Sequence, residues 1–112
     1  VADHSERWEA LRREARVEAG RLAKYLAEHW GVRRVWLYGS AAGVWTFTEW
    51  SDVDLAVEGL PPADHFRAWS DLEDGTRTRF QVDLRRREDW DDKRWRSLIP
   101  EPVLLHECAR PG

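Results

Sequence analysis

The stretch 32–38 reads as a strand with apolar side chains on both alternating faces, Val35 and Leu37 to one side, Trp36 and Tyr38 to the other. A strand of that kind belongs inside a sheet, because its hydrophobic surface is doubled. The rest of the chain has to supply neighbouring strands and covering helices.

Both are legible. Trp8, Leu11, Ala15, Ala19, Leu22, Leu26 and Trp30 recur at three- and four-residue steps, which predicts one long helix over 3–30 with a single apolar face. Asp3 followed by Glu6 resembles a capping box, and Gly31 suits the left-handed residue that ends a helix. Residues 39–43 are small and flexible, and 44–50 are expected to form a short helix and a loop. Residues 52–57 set Val53, Leu55 and Val57 against acidic or small side chains at period two, a second strand with one face on the core. After Gly59, Pro61 and Pro62 a second helix is predicted over 63–72, with Phe66, Trp69 and Leu72 on one face and an end near Gly75. A third strand is expected over 78–85, a short helix capped by Asp89 or Asp91 through Trp95 and Leu98, and an edge segment over 103–105. The fold class is α/β (α+β), a small mixed sheet with helices packed on one face, in one domain over 1–112.

Composition narrows the class of function. A chain of 112 residues has room for one core and no separate recognition domain. Eighteen basic residues face 21 acidic ones for a net charge of -3, which argues against general nucleic-acid binding. No apolar run is long enough to span a bilayer, no signal peptide is visible, and the single cysteine, Cys108, offers no disulfide framework. The expected location is the cytoplasm.

The chemistry lies in three pieces: Leu37-Tyr38-Gly39-Ser40, then Ser51-Asp52-Val53-Asp54-Leu55, then Gln81-Val82-Asp83-Leu84. Asp52 and Asp54 stand two apart on a strand, so both carboxylates project from one face, and Asp83 adds a third. Carboxylates gathered in this way repel one another and raise at least one pKa, which makes sense where divalent cations neutralise them; Mg²⁺ suits such oxygen ligands. Gly39 allows the backbone to approach a phosphate, and the Ser40 hydroxyl adds a donor.

In this order and strand context the pieces resemble the signature of the polymerase-beta-like nucleotidyltransferase superfamily. The brevity of the chain resembles its minimal branch, the antitoxin-type proteins paired with a HEPN-domain toxin. The resemblance implies that Gly39 and Ser40 hold the β- and γ-phosphates of ATP and that Asp52 and Asp54 bind two Mg²⁺ ions. Asp83 would share one metal and help deprotonate the attacking hydroxyl. The implied reaction is in-line attack on the α-phosphate with pyrophosphate leaving, the acceptor being a Tyr hydroxyl of the partner toxin in a hetero-oligomer. The alternative is a non-catalytic antitoxin that neutralises its partner by binding alone.

One departure bears on that choice. Many relatives carry an Arg shortly after the Gly-Ser pair, where this chain has Ala41-Ala42-Gly43, and Arg77 or Arg79 could compensate. Arg85, Arg86 and Arg87 read as a solvated run, and His4, His29, His65, His106 and Cys108 as structural. Trp45 and Trp50 border the expected pocket, where a base could stack or a partner dock.

Overall fold

Helix α1 (His4–Trp30) forms where the apolar stripe predicts it. The computed structural model describes residues 4–43, 47–74 and 77–108. The Asp3 cap, Trp45 and the Gly75 helix end lie outside the described residues. Ala15, Ala19, Leu22, Ala23 and Leu26 are fully buried, and the three alanines on this face let the helix lie close on the sheet. Gly31, at φ +70°, turns the chain out of the helix in the left-handed conformation that costs glycine least.

Strand β1 (Arg34–Tyr38) is the inner strand that its two apolar faces required. It runs antiparallel to β2 (Val53–Glu58) on one side and to β4 (Val103–Glu107) on the other. Ladder bonding continues beyond its first residue: the Arg33 N–H donates to the Glu58 carbonyl at 2.8 Å, and the Cys108 N–H to the Arg33 carbonyl at 2.8 Å. From β2 the chain crosses through α2 (Pro62–Leu72) to β3 (Val82–Arg86), which pairs with β2 in parallel, and the order across the sheet is β3-β2-β1-β4.

Val35 and Leu37 face Val57 and Leu55 across the β1–β2 ladder, and with Val53, Leu84, Ala68 and Leu72 they form the core under α1 and α2. Each fully buried Leu or Val there is worth roughly 1.5–3 kcal/mol relative to exposure. The mixed sheet with these two helices on one face is the α+β architecture expected from the sequence, except that the third helix, which carries Trp95, packs on the other face.

In the second helix Leu72 is buried and Trp69 packs against the core, as the spacing predicts, but Phe66 departs from it. Phe66 is 80% exposed, while Ala68 and Leu72 make the buried face. His65 and Trp69 also reach the edge of the sheet, where Trp69 Nε1 donates to the Val82 carbonyl at 2.7 Å and His65 Nε2 bonds the Leu84 carbonyl at 2.6 Å. These bonds satisfy outward-facing carbonyls of edge strand β3. The third strand starts at Val82, four residues later than expected. Ahead of it the Arg77 N–H bonds the Asp74 carbonyl at 2.8 Å, and Thr78 Oγ1 accepts the Phe80 N–H at 3.2 Å, so local turns compete with the ladder.

On the opposite face of the sheet lie Trp36, Tyr38 and Asp54. Trp36 meets Trp95 edge-on at 5.1 Å, and Tyr38 meets Trp90 at 6.2 Å. The chain carrying Trp90 and Trp95 forms a 3-10 turn (Arg87–Asp89) and then α3 (Asp92–Leu98), whose N-cap is Asp91, accepting the Arg94 N–H at 2.7 Å.

Candidate active site

The last residues of β1 and the first of β2 and β3 meet at one end of the sheet. Tyr38 pairs with Asp54 across the antiparallel ladder, and Asp54 pairs with Asp83 across the parallel one, so the register lines the three up on the open face. Asp52 immediately precedes β2 on the same parity, and the Val53 N–H, bonded to the Gln81 carbonyl at 2.8 Å, fixes where that strand begins.

Beside them the chain leaves β1 in a 3-10 turn (Gly39–Ala42). Gly39 is required there twice over. Its φ of +74° is strained for any residue with a Cβ, and a Cβ at that point would stand 2.2 Å from Asp54 Oδ2. The turn and the carboxylate are therefore packed as one unit.

The electrostatics follow from the crowding. Burial raises the Asp54 pKa, the negative charges of Asp83 and Asp52 raise it further, and Arg85 pulls it back only in part, leaving it at about 7. Asp83 is tied down: Arg85 Nε donates to both of its oxygens at 3.1 Å, and the Tyr38 hydroxyl donates to Oδ2 at 3.4 Å. The Tyr38 phenol is itself held well above its ordinary pKa by burial and by the charges of Asp83 and Asp54, so it stays a hydroxyl.

In kind, this donor set fits a hard divalent cation, which would relieve the like-charge crowding on Asp54. In position it fits less completely. Among the described residues no three His, Cys, Asp or Glu side chains converge closely enough to hold one ion, and Asp83 is engaged by Arg85. Asp52 and Asp54 are thus the pair offered to a cation, and Asp83 would join by exchanging its arginine contact.

Several residues lie elsewhere than the sequence suggested. Arg77 bonds Asp71 at 3.4 Å and Arg79 bonds Glu14 at 2.6 Å, so these contacts hold neither at the Gly39–Ala42 turn. The turn is met by Arg12 and Arg16 of α1, whose guanidinium groups reach the carbonyls of Ser40, Ala41 and Ala42. Nothing in the sequence pointed to them beyond two arginines four apart on a helix. The run Arg85–Arg87 is structural, not merely solvated: Arg85 holds Asp83, Arg86 donates to the Leu60 carbonyl at 2.7 Å, and Arg87 bonds Asp92 at 2.7 Å. Trp50 is 86% exposed at the rim of a cavity of about 300 Å³ that Leu11, Arg79 and Phe80 also line. That cavity stops at Ser51 and Gln81, just short of the carboxylates.

No family profile and no curated protein sequence matches the chain. A solved structure does: a chain from a mutant of the toxin–antitoxin pair MntA–HpeT superimposes with a TM-score of 0.61 at 15% identity, covering 81% of this chain and 74% of that one. The chain has the fold that its signature implied. A nucleotidyltransferase candidate from Sulfolobus solfataricus matches at 21% identity with a TM-score of 0.45, over 83% of this chain and 84% of that one. At 15% identity the likeness to the first structure speaks for the fold alone, and activity has to be argued from the site. Among the described residues no helix is long and apolar enough to cross a membrane.

Proposed function

We propose that residues 1–112 act as one nucleotidyltransferase domain that transfers AMP from ATP to a hydroxyl, in the manner of an antitoxin that modifies a Tyr of a HEPN-type partner toxin in the cytoplasm. The observation that carries this reading is the contact of Gly39 with Asp54, which leaves no space for a side chain between the turn and a carboxylate aligned in register with Asp83. A solvent-facing strand residue has no need of such a neighbour. Similarity of fold to the MntA–HpeT chain supports the antitoxin setting.

In this reading Gly39 and Ser40 bind the β- and γ-phosphates, and Asp52, Asp54 and Asp83 are the catalytic carboxylates. Two Mg²⁺ ions, held by Asp52 and Asp54 with Asp83 sharing one, would neutralise charge on the phosphates and on the entering and leaving oxygens. Asp83 takes the proton of the acceptor hydroxyl. The Tyr38 hydroxyl keeps Asp83 placed for that task once its Arg85 contact is exchanged for the cation. The work of the protein is chiefly positioning.

The test is transfer of labelled AMP from ATP to a co-purified partner. Asp52→Asn and Asp54→Asn each reduce labelling to background, and undiminished labelling by either variant sinks the reading. A second reading, a non-catalytic antitoxin that acts by complex formation, draws on Ala41 and Ala42 standing where an arginine is common and on the absence of three convergent ligands among the described residues. Calorimetry with ATP and Mg²⁺ separates the two: heat of binding favours the enzyme, and none from chain or complex favours the binder.

A further inference from the structure

Three consecutive carbonyls of the Gly39–Ala42 turn are held from α1. Arg12 Nε donates to the Ser40 oxygen at 3.2 Å, Arg16 Nε to the Ala41 oxygen at 2.9 Å, and Arg16 Nη2 to the Ala42 oxygen at 2.7 Å. Residues four apart lie on the same side of a helix, so both guanidinium groups meet the turn together. The planar fork of Arg16 suits two neighbouring carbonyls in a way that an ammonium does not.

The consequence follows from peptide geometry. The described chain has no cis peptide bond, and in a trans unit the carbonyl of one residue and the N–H of the next point in opposite directions. Carbonyls of Ser40 and Ala41 aimed at α1 therefore turn the N–H groups of Ala41 and Ala42 away from it. Arg16 also polarises those peptide units and places positive charge beneath the turn, while Arg12 shares its charge with Glu9, whose Oε1 accepts from Nη1 at 2.5 Å.

We propose that Arg12 and Arg16 are positioning residues for the nucleotide phosphates: acting through the backbone, both aim the N–H groups of the turn, and Arg16 supplies from behind it the positive charge that Ala41 and Ala42 lack. This rests on the nucleotide-binding reading of Gly39 and Ser40. The Arg12 side chain is only 15% exposed, so it works from beneath the turn.

Steady-state transfer and calorimetry with ATP and Mg²⁺ test the assignment on the purified chain with its partner. Arg16→Gln raises the KM and the Kd for ATP roughly tenfold, about the scale of one lost charge-assisted contact, while kcat stays within about threefold. Arg16→Lys, which keeps a cation and much of the side-chain packing, recovers only part of that loss. A merely structural role would lower Tm and the active fraction and leave KM unmoved, and that result overturns the assignment. Amide spectra of the ¹⁵N-labelled wild-type chain need no variant: Ala41 and Ala42 resonances move on adding ATP and Mg²⁺, and stationary resonances in a chain that does bind overturn it too. A wild-type chain and complex that bind no ATP overturn both this assignment and the reading beneath it. Wild-type binding matched by both folded variants overturns this one alone.

Discussion

β1 and β2 run side by side, and their two ends treat charge in opposite ways. At the end away from the site Arg34 sits between Glu58 and Glu107, bonded to them at 2.8 and 2.7 Å, each the register partner of Arg34 on its neighbouring strand. At the other end Asp54 pairs in register with Asp83, like charge beside like charge, and the arginine nearby is committed to Asp83. One end is balanced by its own side chains. The other is left with an excess of negative charge that a cation would complete, and a chain selected for stability alone would have no reason to keep it.

The sharpest way to break that contrast is to neutralise the unbalanced end. Asp54→Asn should reduce AMP transfer to background and at the same time raise Tm in metal-free buffer at pH 7.5, by some fraction of the about 4–8 °C that 1 kcal/mol is worth in a domain of this size. The sign follows from linkage. The folded-state pKa of Asp54, about 7, lies above the ordinary carboxylate value, so the folded state favours the protonated acid. That contribution is fully present below about pH 4 and is lost as the pH rises through about 7. The Tm advantage of Asp54→Asn should therefore shrink as the buffer is taken from pH 7.5 to 5. A variant less stable than wild type at every pH would show that the site end is not strained by charge.

The next largest effect comes from separating the turn and the carboxylate. Gly39→Ala meets Asp54 Oδ2 at 2.2 Å and adds a Cβ at φ +74°. It should cost roughly 1–3 kcal/mol of stability by backbone strain. Transfer should fall about 10²-fold, the scale of a misplacement of about 1 Å. Thermal melts and the labelled-AMP assay check both, and a Gly39→Ala chain as active as wild type would mean that the tight packing serves nothing.

Much of this site is legible in the sequence because strand parity is local information. Two residues on a strand share a face whatever the rest of the chain does, so Asp52 and Asp54 are placed together without a structure, and Phe80, Val82 and Leu84 assign Asp83 to the face away from the core. The fold class follows from the inner strand and the long helix in the same way. What escapes is tertiary. Arg12 and Arg16 reach the turn across 25 to 28 residues of chain, a distance over which no periodicity speaks. Of Phe66, Trp69 and Leu72, expected on one face, Leu72 is buried and Trp69 packs on the core, but Phe66 is exposed and Ala68 is buried in addition.

A carboxylate shifted in the opposite direction sharpens the comparison. Burial raises the Asp71 pKa, but hydrogen bonds from Tyr25 and Trp30 and the charge of Arg77 outweigh it and leave the group below its ordinary value. Tyr25 and Trp30 belong to α1 and Asp71 to α2, with donor distances of 2.5 and 3.0 Å, so the carboxylate ties the two helices together. Asp71→Asn should cost about 1–2 kcal/mol at neutral pH, the scale of weakened bonds to a charged acceptor. A depressed folded-state pKa gives stability that is present above the unfolded value near 4 and lost as the pH falls through the folded one. Wild type and variant should therefore converge on acidification below about pH 4, whereas wild type and Asp54→Asn converge on going from 7.5 to 5. Parallel urea titrations across pH would show whether the two carboxylates diverge in this way.

The smallest effect is expected where charge is already balanced. Arg34 is half exposed, and exposed ion pairs are each worth about 0.2–1 kcal/mol. Arg34→Ala should cost no more than roughly 1–2 kcal/mol, with part of the loss disappearing as salt is raised. It removes the bridge between β2 and β4 but touches neither the Gly39–Ala42 turn nor any carboxylate of the site, so the KM for ATP and kcat should stay at wild-type values. A fall in kcat at unchanged Tm would mean that the two ends of β1 are coupled along the strand, and the division of labour drawn here would then have to be replaced by a single charge network running from Glu107 to Asp83.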